Sequence, residues 1–110
     1  MSDVPFEDDV PQALRDTVDA ALHRVIDPEL AMDIVDVGLV HGVALRGDQL
    51  QVRVTMTSAA CPVTDVIVED IERELDAVVP PELFIRVDVV WDPPWSPERM
   101  SETARSFMGW

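Results

Sequence analysis

Apolar residues recur at helical spacing at Leu14, Val18, Ala21, Leu22 and Val25, with Arg15, Asp16, Asp19 and Arg24 on the other face. Pro11 suits the first turn of that helix, and Pro28 cannot continue it, so the helix is predicted to end near Ile26. Asp27-Pro28-Glu29 reads as a turn, with Asp27 able to cap a short helical turn. Ile34 to Val40 is mostly apolar, broken by Asp36 and Gly38. Leu39, His41, Val43 and Leu45 then suggest one face of a strand. After a hairpin turn at Arg46-Gly47-Asp48-Gln49, Leu50, Val52, Val54 and Met56 alternate with Gln51, Arg53, Thr55 and Thr57. This is the clearest strand in the chain, with one buried and one polar face.

Helical spacing returns at Val63, Val66, Ile67, Ile71, Leu75 and Val78, and Pro80-Pro81 stops it. Leu83, Ile85, Val87, Val89 and Trp91 alternate with Phe84, Arg86, Asp88 and Val90, which predicts a third strand. Asp92-Pro93-Pro94-Trp95 reads as a rigid connector. Ser96-Pro97-Glu98 reads as a helix start, with Met100, Ala104 and Phe107 or Met108 facing inward. Gly38 is expected at a bulge or a close backbone approach within a strand. The order is helix, strand, strand, helix, strand and a short C-terminal helix. It predicts an α+β two-layer sandwich, with helices on one face of a mixed sheet. Residues 1–10, with Asp3, Glu7, Asp8 and Asp9 and no basic residue, are expected to be a loose acidic arm before a single domain over 11–110.

Composition narrows the function. At 110 residues the chain has the length of one domain. Its 22 acidic residues against eight arginines, with no lysine, give a net charge of −14. That balance argues against nonspecific nucleic-acid binding, which depends on cations neutralising phosphates. It also argues against docking on an anionic membrane surface. Without lysine, neither a Schiff base nor a phosphate-loop lysine can form. No apolar run approaches the ~20 residues a bilayer span needs, and the acidic start is unlike a signal peptide. One cysteine, Cys61, rules out an intrachain disulfide and suits a reducing cytoplasm.

Cys61 is the centre of the chemistry. Pro62 fits the first position of the second helix, which would place Cys61 at the N-cap. There the helix dipole and free N–H groups favour a thiolate, the form that attacks electrophiles and binds soft metals. The bland alternative is a small buried residue filling a gap. One thiol cannot complete an iron–sulfur or structural zinc site, so other ligands, a second copy of the chain or a client protein would have to contribute. Asp27, Glu29 and Asp36 are carboxylates close in sequence, although the tripeptide Asp27-Pro28-Glu29 is also a common turn. Thr55 and Thr57 are expected on one strand face, toward the sheet end that carries Cys61. They suit hydrogen bonds to a ligand, and equally an ordinary strand. His23 reads as a surface residue. His41 reads as packed in the sheet, with a Cys61–His41 nucleophilic pair as a third reading that lacks an orienting group. Trp91, Trp95 and Trp110 crowd the end of the chain, where they suit either an interface or core closure.

The motifs Asp27-Pro28-Glu29, Asp36-Val37-Gly38-Leu39-Val40 and Thr55-Met56-Thr57-Ser58-Ala59-Ala60-Cys61-Pro62 occur in that order. Val90-Trp91-Asp92-Pro93-Pro94-Trp95 and Met100-Ser101-Glu102 follow. Together they resemble the metal–sulfur cluster assembly factors of the SufT/PaaD type, small proteins linked to iron–sulfur cluster maturation. The resemblance covers about residues 12–108. It implies a similar fold, Cys61 as the reactive or cluster-linked thiol, and Asp27, Glu29, Asp36, Thr55 and Thr57 around it. PaaD-type members carry extra cysteines near the C-terminus that suggest a zinc site. This chain has none, which favours the SufT-type branch.

The expected function is therefore a cytoplasmic iron–sulfur cluster assembly or transfer factor rather than an enzyme. It would handle a transient cluster, with a cluster scaffold or client apoproteins as partners and a homodimer as a way to supply two thiolates. The alternative is an adaptor in which Cys61 is structural and Trp91 and Trp95 bind partners.

Overall fold

The computed structural model describes residues 4–57 and 61–109, the side chains of Cys61 and Pro62 excepted. The first helix, α1, spans Gln12–Leu22 and buries Val18, Ala21 and Leu22. It ends several residues before the predicted stop at Ile26. His23 is its C-cap, and the chain then turns through hydrogen bonds from Arg24 N to Ala21 O and from Val25 N to Leu22 O. Two short antiparallel strands follow, β1 (Ile26–Asp27) and β2 (Met32–Asp33), closed by the Pro28–Ala31 turn.

The apolar run from Ile34 to Val40 is not a strand in its first half. Ile34–Val37 forms a single helical turn, α2, whose N-cap Asp33 accepts hydrogen bonds from Val35 N and Asp36 N. Gly38 closes α2 in the left-handed region, at φ 87°, instead of marking a strand bulge. The expected close backbone approach is present, because the Arg99 carbonyl sits where a Cβ on residue 38 would stand.

Strands β3 (Val40–Arg46), β4 (Gln49–Val54) and β5 (Phe84–Val89) form the main sheet in that order. β3 and β4 are antiparallel, with Val43 opposite Val52. β4 and β5 are parallel, with Val52 opposite Val87. The parallel pair needs a crossover, and α3 (Cys61–Asp76) supplies it. The sheet is mixed, as the pattern predicted. A register shift between Val40 and Gly42 leaves His41 as the extra residue of a bulge, so β3 lacks the clean alternation that placed His41 with Leu39 and Val43.

Helices α1 and α3 pack on each other, and α3 lies against β5. Ile67, Ile71 and Leu75 of α3 meet Leu22, Val43, Leu50, Val52 and Val54 in one buried cluster. Each such aliphatic side chain contributes about 1.5–3 kcal/mol on burial, which is why the periodic positions locate the core. Beyond β5 the Asp92–Pro93 peptide bond is cis. The predicted helix start at Ser96-Pro97 makes only a 3₁₀ turn, Pro97–Arg99. Helix α4 (Glu102–Met108) begins later, capped by Ser101 through Ala104 N, and buries Ala104.

Residues 4–10 are not a loose arm. Val4 and Val10 are buried, and Phe6 bridges Val43 in parallel. Glu7 N donates to Val43 O at 2.9 Å and Val43 N to Pro5 O at 3.1 Å, so the segment covers the free edge of β3. Its acids find cations there. Glu7 pairs with Arg46 and Arg53, and Asp9 with Arg46. The carboxylates point to an arm, but Val4, Phe6 and Val10 supply the apolar contacts that hold the segment down.

Candidate functional site

The site is assembled around Asp27. In a strand successive side chains point to opposite faces, so β1 exposes Ile26 and buries Asp27 completely. Asp27 Oδ1 accepts the Glu29 amide at 2.8 Å, an Asx turn that holds Pro28 and Glu29 in place. Asp27 O accepts Ala31 N at 2.8 Å, which closes the same turn. The other carboxylate oxygen faces Thr57. Thr57 Oγ1 lies 3.4 Å from Asp27 Oδ2 and 3.3 Å from Glu29 Oε1. A hydroxyl has a single proton, so Thr57 donates to one carboxylate at a time, and both distances are at the long end of the range. The tripeptide is thus a turn and also part of a polar site. The two readings are the same geometry.

Thr55 and Thr57 differ in exposure, Thr55 being fully buried and Thr57 partly exposed. Past Val54 the backbone still bonds to both neighbours, Val90 N donating to Val54 O at 2.7 Å and Thr55 N to Leu39 O at 2.8 Å. Val54, Thr55 and Met56 are consecutively buried, so the pattern of one buried and one polar face ends there. Thr55 is fully buried, and its hydroxyl has no hydrogen-bond partner among the described residues. Leaving such a group unpaired costs about 1–3 kcal/mol.

Asp36 belongs to a different cluster. Its carboxyl group interacts with Asp33, and its carbonyl accepts Ser101 N at 2.8 Å. His23 Nδ1 is 3.2 Å from Asp33 Oδ1, and His23 Nε2 is 3.6 Å from Asp19. Burial pushes the Asp33 carboxyl above its ordinary value. A hydrogen bond with Asp36 and repulsion from it add to this, while the backbone N–H of Asp36 and the nearby His23 oppose it. Donor atoms of His23, Asp33 and Asp36 lie within 4.8 Å of one another. Asp33 Oδ1 already serves as the α2 N-cap, so the group is a capping network. Sequence reasoning missed Asp33, although an Asp directly before the apolar run at Ile34 is a helix-start signal.

Cys61 is the first residue of α3, one position further into the helix than the N-cap reading, and its side chain lies outside the described residues. Its backbone belongs to the first turn, where the dipole acts. The strand end that carries Thr57 leads over Ser58-Ala59-Ala60 into Cys61, and α3 packs on β1, the strand of Asp27. Asp27, Glu29 and Thr57 are therefore brought together, Thr57 lying a few residues before α3 along the chain, while Asp36 is drawn elsewhere.

The tryptophans divide. The Trp95 indole N–H donates to Val37 O at 2.7 Å, and its ring packs on the core, so it fastens the C-terminal segment to α2. Trp91 is half exposed. Trp110 lies outside the described residues. His41, the third reading's base, sits at the β3 bulge. Its pKa is held below 6.5 by burial, then by Arg99 and Arg53. No helix among the described residues is long and apolar enough to cross a membrane.

Known proteins resemble this chain in sequence and in fold. A family model described as "Iron-sulfur cluster assembly protein" matches residues 15–89. The Fe-S protein maturation auxiliary factor YitW of Bacillus subtilis is 38% identical over 99 residues, 89% of this chain and 96% of that one. The Fe-S protein maturation auxiliary factor SufT of Staphylococcus aureus is 38% identical over 86 residues, covering 77% of this chain and 97% of that protein. The crystal structure of a domain of unknown function from Bacillus anthracis superposes with a TM-score of 0.77 at 44% identity, over 86% of this chain and 90% of the other. With the α+β fold and the ordered motifs in place, the chain belongs to the iron–sulfur cluster assembly protein family.

Proposed function

We propose that this protein works in iron–sulfur cluster maturation, as an assembly or transfer factor that helps client apoproteins acquire clusters in the cytoplasm. The cluster is cargo, not a resident group, and the protein turns over no substrate. Cys61 supplies a thiolate to the cluster or to an exchange with a client. Thr57, Asp27 and Glu29 shape the polar side of that site. The observation that supports this reading is the contact of Thr57 with Asp27 and Glu29 on the strand end that leads into Cys61.

The donor set suits passing cargo better than permanent storage. Clusters usually take four thiolates, and this chain holds one. The remaining ligands come from a client, a scaffold or a second copy of the chain. The test is anaerobic reconstitution with iron and sulfide, comparing absorption spectra of wild type and Cys61→Ser. Charge-transfer bands that disappear in the variant support ligation by Cys61. Equal spectra sink it.

A second reading is an adaptor that recruits the assembly machinery, favoured by the half-exposed indole of Trp91. It predicts that Cys61→Ala fully supports client maturation in cells while Trp91→Ala does not.

A further inference from the structure

With 22 carboxylates for eight arginines, most arginines here meet an acid, as Arg24, Arg46, Arg53, Arg73 and Arg86 do. Arg99 makes no ion pair among the described residues. Its Nε donates to Gly38 O at 3.2 Å, which leaves the end of the guanidinium for another partner. Arg99 lines a cleft of about 370 Å³ together with His41, Arg53, Val90, Asp92 and Pro93.

Three donors from three segments converge there. Arg53 projects from the polar face of β4, lies against Gly42 and is tied to Glu7 through Nη2 at 3.3 Å. Arg99 comes from the 3₁₀ turn. His41 comes from the β3 bulge, and its Nε2 is buried with no hydrogen-bond partner among the described residues. Asp92 is the one acid in the lining, and it lies beyond ion-pair distance of both arginines. Glu7 offsets part of the Arg53 charge, while Arg99 has no acid partner among the described residues, so the cleft keeps a positive charge. An oxyanion would satisfy all three groups. Guanidinium groups bind phosphate and carboxylate through charge-assisted pairs, and a buried imidazole nitrogen without a partner costs free energy until it finds one.

We propose that the His41–Arg53–Arg99 cleft is a binding site for an oxyanion, the phosphate or carboxylate group of a small ligand. Asp27 and Thr57 are not among its described lining residues, and the proposal does not depend on the proposed function. The chain as a whole carries a net charge of −14, so a cleft lined by two arginines is a distinctive place for an anion to bind.

The experiment is an NMR titration of the ¹⁵N-labelled chain with inorganic phosphate and, separately, with succinate. Chloride holds the ionic strength constant. Saturable shifts are expected at the amides of His41, Arg53 and Arg99. Arg99→Gln should weaken binding about tenfold, the loss of one charge-assisted contact. Arg53→Gln is the second variant, should loss of the Arg99 contact to Gly38 disturb folding. Response to phosphate alone assigns a phosphate ligand, and response to succinate alone assigns a carboxylate. No saturable response to either anion, or a response that survives both substitutions, overturns the proposal.

Discussion

Thr57 Oγ1 stands 3.4 Å from Oδ2 of the fully buried Asp27, joining the end of β4 to the turn after β1. Glu29 shares the same hydroxyl at 3.3 Å. Thr57→Val keeps the shape and removes the donor. It should cost about 0.5–1.5 kcal/mol in urea unfolding, and client maturation should fall toward the Cys61→Ser level. Unchanged maturation would make the contact purely structural.

Thr55 gives the opposite signature. Its hydroxyl is buried without a partner among the described residues, so Thr55→Val should raise stability by about 1–2 kcal/mol in denaturant melts. If the hydroxyl serves the site, maturation activity drops while the melt improves. A variant that is both more stable and fully active would assign Thr55 no functional part.

Gly38 caps α2 at φ 87°, and a Cβ there would also sit 2.8 Å from Arg99 Cβ. Backbone strain and the collision act together, so Gly38→Ala should cost at least about 2 kcal/mol. Thermal unfolding measures it, and a loss below about 0.5 kcal/mol would show that the turn relaxes.

Asp33 is held above its ordinary pKa of 3.8, chiefly by burial. The native state therefore binds its proton more tightly than the unfolded chain does. The stability it contributes is full below 3.8 and is lost as pH rises through the native value. Asn caps α2 equally well but does not titrate. The stability of Asp33→Asn relative to wild type should rise with pH through this window and then level off. Parallel denaturant curves from pH 3 to 7 would show a flat difference if burial of Asp33 were unimportant.

Residues 4–10 bury Val4 and Val10 and cover the edge of β3. Deleting residues 1–10 should destabilise the domain by about 3 kcal/mol and promote association through the bared strand. Size-exclusion chromatography and thermal melts follow the two effects. Unchanged stability would return the segment to the status of a loose arm.

The periodic elements were legible in the residues themselves. The α1 and α3 stripes and the β4 alternation each bury one face, and burial of aliphatic area dominates folding, so their pattern is written locally. Membership in the cluster assembly family was legible for a related reason: Asp27-Pro28-Glu29 and Thr55–Pro62 keep their order whatever the packing. Other features arose only when distant segments met. Asp36 is close to Asp27 in sequence, yet the β1 pleat and the α2 turn carry it toward Asp33 and His23. Thr55 belongs to the polar series of β4 by sequence, yet it is fully buried because packing covers that end of the sheet. The acidic start became a sheet edge because Val43 offered hydrogen bonds that no local pattern announces. Arg99 and Arg53, remote in the chain, became neighbours across His41. Hydrophobic periodicity repeats within a few residues and can be read along a line. Hydrogen bonds and ion pairs form between whichever groups the packed core delivers to each other, so the polar site and the cationic cleft exist only in three dimensions.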